Sequence, residues 1–264
     1  MRPILSLLFL LGCMSIYAQQ FALDILEASP RHHEWVKVMN GNRTVHCFVA
    51  YPEISASATT VIVIHENRGL TDWVRCFADE LAEAGYLAIA PDLLSGFSEE
   101  YENTSEFPSS DDARTAIYQL DAEQVTADLK AVQAYLAAIP SANGKVAIAG
   151  FCWGGSQTFR YATNDAGIQA AMVFYGSPPK ESEELARITS PVYGFYGESD
   201  QRINATIDGT AEKMDKLRKI YDPVIYESVG HAFMRRGNDP AAEEAFREAY
   251  NTAFERLTGI LGGL

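Results

Sequence analysis

The sequence predicts an α/β fold: a mainly parallel central sheet with an antiparallel N-terminal edge and helices on both faces. Three observations carry this. Short, largely apolar runs such as Thr60-Val61-Ile62-Val63-Ile64 alternate with segments of helical period, the pattern of strands buried on both faces. Asn40-Gly41-Asn42-Arg43 separates two alternating stretches, Trp35 to Met39 and Thr44 to Tyr51, and marks an edge hairpin. Gly150-Phe151-Cys152-Trp153-Gly154-Gly155 follows the apolar run Lys145 to Ala149, so a buried strand must turn sharply into a helix at a cysteine.

The elements follow in order. Arg2, the apolar stretch Ile4 to Ile16 and Tyr17-Ala18-Gln19-Gln20 read as a signal peptide over residues 1–18, cleaved after Ala18. Its apolar core is short for a membrane span. The expected location is therefore periplasmic or secreted. Leu10-Leu11-Gly12-Cys13 resembles a lipobox, but Leu11 is atypical there, so anchoring through Cys13 is the less favoured alternative. Residues 19–264 then form a single domain, since 264 residues with 47% hydrophobic content can bury one full-sized core.

After the hairpin and the Thr60 to His65 strand, Asp72 is placed to cap a helix running to Ala84 and ended by Gly85. Tyr86 to Ala90 is the next strand, stopped by Pro91-Asp92. Ser95 to Asp112 is polar and without period, and reads as a lid or pocket wall. Asp121 caps a helix whose Val125, Leu129, Val132 and Leu136 recur at helical spacing, and which closes before Pro140. Behind the cysteine turn a helix runs from Gly154 to about Thr163. Ala170 to Tyr175, Pro191 to Tyr196 and Val224 to Val229 are the last strands, and Ala241 to Leu257 is a terminal helix. The Glu181, Glu183, Glu184 run reads as a solvated face.

Composition excludes some functions. A net charge of −14 with no basic run argues against nucleic acid. Beyond the leader no segment is apolar enough to span a bilayer. After the leader the chain keeps three cysteines, Cys47, Cys76 and Cys152, odd in number and without metal-type spacing, so no metal site is expected. Cys47 and Cys76 sit in strand and helix patterns and read as small buried hydrophobes.

Cys152 reads differently. In an open parallel sheet, ligands sit beyond the carboxyl ends of the strands. Cys152, Asp200, His231 and Glu66 each fall just past such an end. The helix N-terminus behind Cys152 and a nearby imidazole would favour its thiolate. His231 would take the thiol proton and later activate water, and Asp200 would fix its tautomer. Competitors exist for each role: Glu198 and Asp208 for the acid, and His65, His32, His33 and His46 for the base. Only His231 lies after the acid, as this order requires. The backbone N–H groups of Trp153 and Asn67 are in place to stabilise an oxyanion. Trp73 and Trp153 could line a pocket, although rings this large more often fill a core.

With these residues in view, the chain resembles the dienelactone hydrolase family of α/β-hydrolases. The resemblance rests on the Cys152 elbow, on Val63-Ile64-His65-Glu66-Asn67-Arg68-Gly69-Leu70, on Ala90-Pro91-Asp92-Leu93 and on Gly230-His231-Ala232-Phe233-Met234-Arg235. It implies that Glu66 lies beside the nucleophile and helps convert thiol to thiolate when substrate enters, and that Arg235 binds a substrate carboxylate. A second arginine expected after Ala90-Pro91-Asp92-Leu93 is replaced by Leu94-Ser95-Gly96-Phe97, which puts a dienelactone substrate in doubt. Arg68 stands where an apolar residue is expected, and could reshape the pocket. The expected activity is cofactor-independent hydrolysis of a small lactone or carboxylic ester through a cysteinyl thioester. The alternative is a non-catalytic binding or redox-sensing protein with Cys152 as a reactive thiol. No feature sets an oligomeric state.

Overall fold

A computed structural model describes residues 20–179 and 181–264. The expected leader, with Cys13, lies outside the described residues. Helix α1 covers residues 20–28, followed by β1 (His33–Asn40), β2 (Arg43–Ala50), β3 (Ala58–Ile64), α2 (Asp72–Glu83) and β4 (Leu87–Pro91). A 3-10 turn at Thr104–Glu106 precedes α3 (Ser110–Ile117), α4 (Ala122–Leu136), β5 (Ala142–Phe151), α5 (Trp153–Ala162) and β6 (Ala170–Phe174). The chain ends with α6 (Ser182–Leu185), β7 (Val192–Gly197), α7 (Gln201–Asn204), α8 (Ile207–Lys216), β8 (Tyr221–Tyr226), α9 (Phe233–Gly237) and α10 (Glu244–Gly262).

Among the described residues, eight strands form one sheet in the order β1-β2-β4-β3-β5-β6-β7-β8. β1 pairs antiparallel with β2, and β2 antiparallel with β4; every later pairing is parallel. The pleat sorts side chains onto two faces with a period of two. Val61, Val63, Ala147, Ala149, Met172 and Phe174 pack under α1, α2 and α10, whereas Ile62, Ile64, Val146, Ile148, Ala171 and Val173 pack under α4 and α5. Because both faces are covered, the central strands read as continuous apolar runs.

Several local expectations shift. Thr71, with extended backbone, is the N-cap of α2; Asp72 is its first helical residue and pairs with Arg75. The last strand lies three residues earlier than the apolar run suggests, because β8 pairs along β7 from Val192↔Tyr221 to Gly197↔Tyr226. Backbone pairing there outweighs the apolar character of Val229, which is buried in the following loop. The polar 95–112 segment is also more ordered than its composition suggests. Buried Asp92 accepts bonds from Thr104 N (2.6 Å) and Thr104 Oγ1 (2.6 Å), and Ser109 caps α3. Asp121 caps α4 as expected, accepting from the N–H groups of Glu123 and Gln124.

Candidate active site

The sheet order explains how distant residues meet. The chain moves from β3 outward to β4, returns to β5 on the other side of β3, then continues through β6, β7 and β8. A crevice opens where the direction reverses. Glu66 follows β3, Cys152 follows β5, Tyr175 follows β6, Asp200 follows β7 and His231 lies in the loop after β8.

At the elbow Cys152 has φ 56° and ψ −112°, a conformation that non-glycine residues rarely adopt. Its N–H bonds to Phe174 O (3.0 Å), and its carbonyl accepts from Ser156 N–H (3.2 Å), so β6 and α5 hold the strained residue from both sides. Crowding accounts for the flanking glycines. A Cβ at Gly150 would lie 2.3 Å from Gly154 O, and one at Gly154 would lie 2.3 Å from His65 O. The N–H groups of Trp153 and Asn67 are directed at the sulfur. Burial, and then the Glu66 carboxylate, push the thiol from 9.0 up to about 11, against the pull of the Trp153 N–H, the Arg202 guanidinium and the Asn67 N–H.

Glu66 is tied to Arg235, whose Nε donates to Glu66 Oε2 at 2.7 Å. The carboxylate holds the Arg235 guanidinium above its usual range. The other Glu66 oxygen is buried without a hydrogen-bond partner among the described residues. His231 Nδ1 donates to Asp200 Oδ2 at 2.5 Å, with Asp200 buried and His231 about one-third exposed. That bond fixes the imidazole orientation and leaves Nε2 for proton transfer. The thiol has no hydrogen bond to the imidazole among the described residues.

The structure thus brings Cys152, Asp200, His231, Glu66 and Arg235 together, with the amides of Trp153 and Asn67. Two expected pocket residues sit elsewhere. Trp73 is only 2% exposed and packs edge-on against Phe151 in the core, because its position on α2 faces the sheet. The Arg68 guanidinium turns outward, 3.9 Å from Asp111 on α3, while Asn67 Nδ2 donates to Tyr118 Oη at 3.2 Å. Cys47 and Cys76 are buried free thiols, both pushed upward by burial.

Sequence reasoning missed two residues. Tyr175 is fully buried with φ 40°, its ring edge-on to His231 at 4.9 Å between centroids. Burial, then the neighbouring Glu66 charge, hold its phenol well above the usual range. Its place just past a strand end, before Gly176, was the available signal. Arg202 stands two residues after the acid, and its charge reaches the thiol.

Among the described residues no cluster of His, Cys, Asp or Glu is arranged to hold a metal, and no helix is long and apolar enough to cross a membrane. The sequence model of the dienelactone hydrolase family matches residues 45–261. A Methylorubrum extorquens protein named "putative carboxymethylenebutenolidase" is 30% identical over 211 residues, covering 75% of this chain and 71% of its own. Among solved structures, a "putative dienelactone hydrolase" from Klebsiella pneumoniae superposes with a TM-score of 0.77 at 23% identity, over 89% of this chain and 99% of its own. A dienelactone hydrolase-like promiscuous phosphotriesterase from metagenomic libraries gives 0.73 at 21% identity, over 89% and 98%. These two show the same fold. With the family match spanning most of the sequence, the chain belongs to the dienelactone hydrolase family and is a hydrolase of lactone or ester bonds.

Proposed function

We propose that this hydrolase cleaves a small lactone or carboxylic ester with Cys152 as nucleophile, His231 as general base and acid, and Asp200 as the group that orients His231. The observation carrying the reading is the His231–Asp200 bond at the strand ends beside a cysteine in a strained elbow faced by two backbone N–H groups. In the resting site the thiol is protonated at neutral pH, since its value lies near 11. A substrate carbonyl entering the site would take the N–H groups of Trp153 and Asn67, and the sulfur would turn to His231 with help from Glu66.

The bonding changes follow from that arrangement. Sγ attacks the carbonyl carbon while its proton passes to His231 Nε2; the tetrahedral oxyanion rests on the two amides. Collapse breaks the carbon–oxygen bond, the leaving alkoxide takes the proton, and a thioester remains. Water, deprotonated by His231, then attacks the thioester and releases the acid. In a lactone the leaving alcohol stays attached to the acyl group.

The elevated thiol tells against a redox-sensing role, because sensor cysteines are low in pKa and exposed. Arg235 would bind a substrate carboxylate at the price of loosening its bond to Glu66. Arg235→Ala should then raise KM for anionic esters more than for neutral ones; an equal rise would remove the assignment. The enzyme would act outside the cytoplasm after cleavage at Ala18, and N-terminal sequencing of the exported protein should begin at Gln19. The direct test of the reading is turnover of an activated aryl ester and of small lactones by Cys152→Ala. Loss of turnover is expected, and retained turnover refutes the nucleophile.

A further inference from the structure

His65 is the last residue before Glu66, fully buried at the end of β3. Its ring is held on three sides. Nε2 accepts the Leu93 N–H at 3.1 Å; an amide nitrogen can only donate, so Nε2 carries the lone pair and the proton sits on Nδ1. Nδ1–H then donates to the backbone carbonyl of Glu66 at 2.8 Å. The ring lies nearly parallel to the Trp153 indole, 12° between planes and 5.6 Å between centroids. Burial keeps the imidazole below its ordinary value, and therefore neutral.

The carbonyl that His65 grips belongs to the same peptide unit as the Asn67 N–H. The unit is planar and trans, so its N–H points opposite to its C=O. Fixing the oxygen from behind fixes the direction of the N–H, which faces the Cys152 sulfur. A hydrogen bond received by the carbonyl also polarises the unit and strengthens its N–H as a donor. The second donor, the Trp153 N–H, belongs to the residue whose side chain stacks on the same ring. The close approach of the His65 carbonyl to Gly154 places β3 against the start of α5 at the same point.

We propose that His65 is a positioning residue for the oxyanion site: its neutral imidazole, anchored on Leu93, locks the Glu66–Asn67 peptide plane and braces Trp153, so that both N–H groups converge on one oxygen. This rests on the reading of Cys152 as nucleophile and of these amides as its oxyanion donors. His65 touches no reacting atom. It acts through the peptide it holds, and its effect falls on kcat, since the donors matter most when negative charge has developed.

Two variants separate the ring's two hydrogen bonds. In His65→Asn the amide nitrogen occupies the place of Nδ1 and keeps the donor to the Glu66 carbonyl. In His65→Gln the longer amide reaches the place of Nε2, keeping the acceptor for Leu93 and losing the bond to Glu66. Both lose the stacked ring. Steady-state hydrolysis of an activated aryl ester should be measured on the gel-filtered, folded fraction, with competent sites counted by an ester-directed titrant that acylates Cys152, so that misfolded protein drops out. His65→Gln should lose about tenfold or more in kcat per competent site relative to His65→Asn, with KM within about twofold. An aryl trifluoromethyl ketone, which forms a tetrahedral adduct with an oxyanion, should bind His65→Gln more weakly by a similar factor. Equal kcat per site in the two variants, or losses that follow thermal stability alone, would overturn the role. Cys152→Ala run alongside separates the causes of failure. If it retains turnover, the nucleophile reading falls and the His65 role with it; if it is inactive while His65→Gln matches His65→Asn, the His65 role alone falls.

Discussion

Glu66→Gln should make the Cys152 thiol more reactive, although the substitution damages an enzyme built around that carboxylate. Burial and the Glu66 charge together lift the thiol from 9.0 to about 11, with burial the larger cause. At neutral pH that elevation leaves about a hundredfold less thiolate than the ordinary value would give. Glutamine preserves the shape and removes the charge. It also strips Arg235 of its partner, and the exposed guanidinium pulls the thiol in the same direction. Because burial is the larger cause, the alkylation rate at pH 8 should rise several-fold, short of the roughly hundredfold that removing the whole elevation would give, and its pH midpoint should fall. Iodoacetamide labelling followed by peptide mapping resolves Cys152 from Cys47 and Cys76, both buried. Arg235→Ala should do the reverse, leaving Glu66 uncompensated and slowing labelling. An unchanged or slower rate in folded Glu66→Gln would refute the electrostatic account of the resting thiol.

Three further outcomes follow. Asp200→Asn should reduce kcat by about 10³- to 10⁴-fold with KM little changed, because the amide no longer enforces the tautomer of His231; a loss under tenfold in stopped assays would remove Asp200 from the triad. Gly154→Ala should cost about 1–3 kcal/mol in denaturant titration, since its methyl would lie 2.3 Å from the His65 carbonyl oxygen. Asp79→Asn should cost about 3–5 kcal/mol, because buried Asp79 holds Arg31 through two bonds and also contacts Ser29 and His33. Although burial alone would raise the Asp79 carboxyl, the bonds from Arg31, His33 and Ser29 hold it below its usual value. Its contribution is therefore complete above the unfolded value and is lost as pH falls through the folded one, so Asp79→Asn should flatten the acid limb of the stability curve; an unaltered limb would contradict this.

The strands most easily read from sequence were those buried on both faces. The run from Val61 to Ile64 is apolar throughout because α2 covers one side of it and α4 and α5 cover the other. β8 was harder, because its residues are half-exposed at the edge of the sheet, and its register comes from pairing with β7. In the site, Cys152 and His231 were legible because glycines and strand ends announce them. Trp73 was ambiguous for a physical reason: a helix following the oxyanion segment presents residues both to the crevice and to the sheet, and only packing shows which. Tyr175 sits at a strand end that Gly176 marks, but an apolar strand such as Ala170 to Phe174 does not show that the next residue bends to positive φ and buries a hydroxyl beside Glu66. The role of Asp92 depends on Thr104, twelve positions on, a contact that no local pattern encodes.

Hydrolysis through sulfur requires a covalent acyl group on Cys152. Mixing the protein with an activated aryl ester, quenching in acid within the burst phase and digesting for peptide mass spectrometry tests it most directly. An acyl adduct is expected on the Cys152 peptide, and none in Cys152→Ala. Turnover of the ester with no adduct on Cys152, or with the acyl group on another residue, would contradict it.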